Sequence, residues 1–101
     1  MKPQVREIIG QRITGVIVKH AKDSHHRPSS MLILVFEDGT NYEFYTHAGR
    51  LRPHQLWKLH DVDQLHSWGE DQLWTELIAW HDDDDEIRVR QMSDAGVLHD
   101  V

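Results

Sequence analysis

The stretch "MLILVFEDGTNYEFY", residues 31–45, constrains this chain more than any other. Asp38-Gly39 sits between two β-prone runs and supplies the glycine that a hairpin turn needs at positive φ. The arm 40–46 alternates polar and apolar, with Asn41 and Glu43 expected to face outward. The arm 31–36 is apolar at every position from Met31 to Phe36. A strand with one wetted face alternates, whereas an unbroken apolar run belongs to a strand covered on both faces. Residues 31–36 are therefore expected as a central strand. Its neighbours would be the arm 40–46 and the β-branched run 12–20, "RITGVIVKH", where Gly15 marks a candidate bulge.

Two hairpin registers are open. A two-residue type I′ turn places Ile33 and Val35 beside Tyr42 and Phe44. A type I turn with Gly39 in a bulge places Leu34 and Phe36 with that aromatic pair, and gathers the largest side chains on one face. The second is the preferred reading.

Around the hairpin the periodicity points to helices. Pro3 suits a first helical position, Val5, Ile8 and Ile9 share a face, and Gly10 can stop the turn, so a short helix is expected over 3–9. Residues 21–30, "AKDSHHRPSS", are polar and aperiodic and read as a long loop. Leu56, Leu59, Val62, Leu65 and Trp68 recur every three residues, a spacing that drifts by about 60° per step on an α-helix. Two short helical pieces broken near Asp61 and Asp63 fit it better. Ser67 and Glu70 have the spacing of a capping box, followed by Leu73, Trp74, Leu77 and Ile78, so a helix is expected over 67–81. "EIRVRQM", 86–92, alternates like an edge strand or an arm that pairs with a partner.

The expected fold is thus α+β. It has a three- or four-stranded antiparallel sheet, with strands about 12–20, 31–37 and 40–46 and a fourth at 86–92. A short N-terminal helix precedes the sheet and two or three helices follow the hairpin. One domain would span 1–92, with a loose tail over 93–101.

Composition narrows the function classes. The chain has no cysteine, which excludes disulfides, thiol catalysis and cysteine-ligated zinc, and its default setting is a reducing, cytoplasmic one. No run is long and apolar enough for a membrane span, and the start lacks the apolar core of a signal peptide. The formal charge of −6 repels nucleic acid, and Arg50 with Arg52 makes a thin basic patch. Nine histidines are the unusual feature, because protonating all of them would reverse the sign of that charge.

Several side-chain sets carry candidate chemistry. His60, Asp63 and His66 are spaced three apart and offer imidazole and carboxylate to a zinc-like divalent metal, although one helix would spread them over about 120°. A solvated face is the plainer reading. His25, His26 and Arg27 in the long loop, with His20 nearby, offer a metal or phosphate contact against the plainer reading of a solvated loop. His60-Asp61 has the form of a phosphohydrolase ligand pair, but the chain is short of helices to carry the remaining ligands. Ser24, Ser29, Ser30, Ser67 and Ser93 stand in no nucleophile elbow, and no glycine-rich phosphate loop is present. The acidic run 82–86 offers phosphate mimicry or loose calcium binding, with Arg88 and Arg90 close by to neutralise it.

Tryptophans 57, 68, 74 and 80 crowd one short span and fill a core or anchor an interface. Trp57 and Trp80 are the candidates for the interface, together with Ile87 and Val89 of the alternating strand. The second face of the central strand then needs a cover, which the thin N-terminal helix supplies poorly. A homodimer is the favoured answer and a different protein partner the second. The expected function is a small non-enzymatic protein-interaction or regulatory module with no cofactor. The alternative is a divalent-metal enzyme or metal-binding protein built on His60, Asp63 and His66.

Overall fold

A computed structural model describes residues 5–23, 29–58, 72–93 and 96–101, with 54–58 followed by backbone only. Seven antiparallel strands form one sheet: β1 Ile13–Ala21, β2 Ser30–Phe36, β3 Thr40–His47, β4 Arg50–Lys58, β5 Leu73–His81, β6 Ile87–Met92 and β7 Leu98–Asp100. Their spatial order is β4-β3-β2-β1-β5-β6-β7. The 3-10 turn Val5–Ile8 is the one helical segment among the described residues. The α+β expectation is therefore wrong, and the chain is a mostly-strand protein.

Each departure from expectation has a physical cause. The helix expected over 67–81 is instead β5 from Leu73 onward, while its capping box at Ser67 and Glu70 lies outside the described residues. The register between β1 and β5 shifts between Val18 and Lys19: Lys19 pairs with Thr75 and Val18 with Leu77. That bulge flips the phase of alternation, so Leu73 and Thr75 share a face with Ile78 rather than with Leu77. A two-residue repeat broken once in the middle imitates a helical stripe. The first helical piece expected from residue 56 begins instead on β4, which starts at Arg50 and contains Pro53, and the remainder of both pieces lies outside the described residues. Proline is tolerated there because β4 is an edge strand, and its pairing with β3 shifts between Tyr42 and Phe44. The expected breaks at Asp61 and Asp63 lie outside the described residues. At the N-terminus only Val5–Ile8 turns, ending before Gly10 at φ 85°.

The central-strand reading of residues 31–36 stands, since β2 lies between β1 and β3. Leu34 pairs with Tyr42 and Leu32 with Phe44, so Leu34 joins the aromatic pair, and Gly39 has the positive φ of 87° that a glycine bulge requires. β6 is not an edge. β5 pairs on one side of it and β7 on the other, and β7 falls within residues 93–101.

On one side of the sheet, here the core face, Ile17 lies between Ile33 and Ile78 in the register and all three are buried. Met31 and Val35 complete the cluster, with Trp80 packed against it. Each such side chain contributes about 1.5–3 kcal/mol by leaving water. Asn41 and Glu43, expected to face outward, pair with Val35 and Ile33 and are buried on this same face. The arm alternates as expected, but in the opposite direction. Lys19 and Thr75, partners across β1 and β5, are buried on the same face, and none of Lys19, Glu43 and Thr75 lacks an interaction.

The opposite, outer face carries Tyr42, which is fully buried while its hydroxyl has no hydrogen-bond partner. Burial, and after it the charge of Glu7 in the 3-10 turn, push its phenol above the ordinary value of about 10. A raised phenol pKa favours the neutral form in the folded state, so stability present below that ordinary value is lost as pH climbs through the raised one. Tyr42→Phe removes the stranded hydroxyl and is expected to stabilise the fold by about 1 kcal/mol. It should also abolish the alkaline decline due to this group. Thermal melts at neutral and alkaline pH check both, and a lower Tm for the variant would show that the hydroxyl is bonded.

Candidate functional site

Two cross-strand rows dominate the outer face. Phe44, Leu32, Val18 and Leu77 are successive partners across β3, β2, β1 and β5. Tyr42, Leu34, Val16, Ala79 and Val89 follow one another from β3 to β6. Partners in an antiparallel register point to one side, so each row is a continuous apolar band. Apart from the buried Tyr42, all of these residues are half-buried. Neither row contains a charged residue. Of the charged residues on these strands, Lys19, Glu43, Arg88 (opposite Trp80) and Arg90 (opposite Ile78) sit on the other side, while Glu76 of β5 lies at the border of the rows beside His20.

Along one border of these rows lies a polar network. His20 Nδ1 is 2.8 Å from Ser30 Oγ, and its Nε2 is 3.4 Å from Glu76 Oε1. The His20 ring also rests against Trp74, with centroids 4.9 Å apart. Serine, histidine and a carboxylate in line have the composition of a nucleophilic relay. Here, however, His20 and Ser30 are direct cross-strand partners, so register alone brings them together. The Ser30 backbone N–H, the nearest donor for an oxyanion, already donates to Thr46 Oγ1 at 3.0 Å. Thr46 is in turn 2.7 Å from Ser29 Oγ. The network is committed to itself and borders the apolar rows. The sequence offers His20 and Ser30 as separate candidates, and only the register joins them.

The opposite border holds a shallow groove of about 200 Å³ between the ends of β1 and β5, whose lining includes Ile13, Thr14, Val16, Trp80, His81 and Ile87. Ile13 and Ile87 are 49% and 71% exposed, large values for isoleucine.

Of the interface residues expected from sequence, Ile87 and Val89 lie on β6, with Val89 in the second apolar row. Trp80 pairs with Arg88 and packs toward the core cluster, with the Arg90 guanidinium 5.2 Å from its ring, so it belongs to the other face. Trp57 lies on β4 opposite Asn41, its side chain outside the described set. His60, Asp63 and His66 lie outside the described residues, as do His25, His26 and Arg27. Among the described residues no three histidine, aspartate or glutamate side chains gather as metal ligands. No described helix is long and apolar enough to cross a membrane.

The acidic run forms the tight turn from β5 to β6, with Asp85 at φ 61°. Asp82 Oδ2 accepts from Arg88 Nε at 2.7 Å, and its Oδ1 accepts from the backbone N–H groups of Asp84 and Glu86. His81 and Arg12 both approach Asp85, at 3.0 and 3.7 Å. The run is thus occupied in closing its own hairpin. The Arg88 hydrogen bond first, and the amide donors after it, hold the Asp82 carboxyl below the usual carboxylate range. A lowered pKa contributes stability above the unfolded value of about 3.9 and loses it as pH falls through the folded one. Asp82→Asn should therefore lower Tm at neutral pH, with the gap to wild type closing as acid protonates Asp82. Parallel melts from pH 7 to pH 2 check this, and a gap independent of pH would contradict it.

Comparisons with protein-family models, curated proteins and solved structures gave no match.

Proposed function

We propose that this chain is a small non-enzymatic protein-interaction module that presents its outer sheet face. The observation that carries the reading is the pairing of two facts about that face: apart from the buried Tyr42 its central rows are only half-buried, and they hold no charge. A sheet face that meets only water is ordinarily decorated with charged and polar side chains, and monomers rarely expose contiguous apolar patches beyond a few hundred Å². Charge depletion at the centre with a polar rim is the anatomy of a binding surface. His20, Ser30, Thr46 and Glu76 supply that rim.

An interaction face differs from a core face in what it tolerates. Lysine at Val18 or Leu32 can run its stem along the sheet and keep its ammonium in water. Lysine at Ile33, which has no exposed surface, must bury a charge at a cost of several kcal/mol. Val18→Lys and Leu32→Lys are thus expected to keep sheet circular dichroism and a cooperative melt, while Ile33→Lys loses both. Unfolding of the outer-face variants to the same extent as Ile33→Lys would overturn the reading.

A further inference from the structure

Resting on that reading, we infer that the occupant of the outer face is a second copy of this chain, packed face to face about a two-fold axis. The half-buried rows, their lack of charge and the poor quality of both sheet edges point to this together.

Charge comes first. An isologous contact sets a patch against its own image, so any net charge on the patch faces like charge. The chain carries a formal −6, yet neither central row bears any of it. A patch shaped to take a basic or acidic partner would carry the complementary sign at its centre. This one is electrically blank, the condition under which a surface can meet itself.

Area comes second. Five strands, β3, β2, β1, β5 and β6, spaced about 4.8 Å apart and presenting about six residues each at about 3.3 Å, make a face of about 500 Å². Set against its own image, a footprint of that size lies at the small end of specific interfaces, which begin at about 1,000 Å² over both partners. Identical twisted sheets also match in curvature, and pack at about −30° with layers about 10 Å apart.

The edges come third. Copies of a sheet can also join by adding strand to strand, but both ends of this sheet are blunted. β4 contains Pro53 and a register shift, and β7 is only three residues long. Short strands, proline and bulges are features that discourage edge-to-edge pairing. The face remains as the route to self-association.

Light scattering behind size exclusion over a concentration series tests this, at low and high salt, on wild type, Val18→Lys and Val89→Lys. The expected result is a wild-type species near twice the 11.9 kDa chain mass. It should tighten as salt screens the repulsion between two negative chains, and both variants should be folded monomers. A wild type that stays monomeric up to its solubility limit, with both variants folded, overturns the second copy and leaves the interaction face for a different protein. A dimer that persists in the folded variants, or that weakens with salt, overturns the face-to-face arrangement. Unfolded variants would remove the interaction reading itself.

Discussion

The sheet depends on one contact, Ile17 held between Ile33 and Ile78. Those three residues lie on β1, β2 and β5, so they tie the hairpin of β2 and β3 to the second half of the chain. β1 is the hinge of this arrangement, because it pairs with both β2 and β5, which are adjacent to each other neither in sequence nor in the sheet. Gly15 allows the hinge to be tight: a Cβ there would meet the Val35 side chain at 3.2 Å and the Ala79 carbonyl oxygen at 3.4 Å. Everything on the core face, including the buried Lys19, Asn41, Glu43 and Thr75, is positioned by that register. The outer face follows from it too, because placing Ile17 inward commits Val16 and Val18 to the other side.

The same parity explains which parts of the fold are legible in sequence. Residues 31–36 announce a central strand, since only burial on two faces accommodates six apolar residues in a row. The glycine at position 39 announces the hairpin. Beyond that, a bulge opposite Lys19 and a proline on an edge strand disguise β5 and β4 as helices. Both devices are local departures from strict alternation, and a pattern without its partners does not distinguish a bulged strand from a short helix. The inversion of Asn41 and Glu43 has a different cause. Polarity ordinarily predicts outward orientation, and here Tyr42 and Phe44 take the outer face, so the polar pair is carried inward.

The candidate site is legible in sequence only as a question. An uninterrupted apolar strand requires a second cover, and residues 31–36 by themselves make that requirement plain. Which residues form the outer rows is hidden, because they come from five strands and are assembled by registers that no local window contains. Histidine, the most conspicuous residue in the composition, is in part peripheral: His20 and His81 border the rows, one in a polar network and the other at the groove beside Asp85.

The central claim is that the two sides of one sheet have different fates, one sealed within the chain and the other open until another surface meets it. Methyl resonances read against a soluble paramagnetic agent measure this residue by residue, in samples from dilute to concentrated. The account predicts that Ile17, Ile33 and Ile78 are protected at every concentration, while Val16, Val18 and Leu34 are relaxed strongly when dilute and become shielded as concentration rises. Equal protection of both sets in the most dilute sample would contradict it.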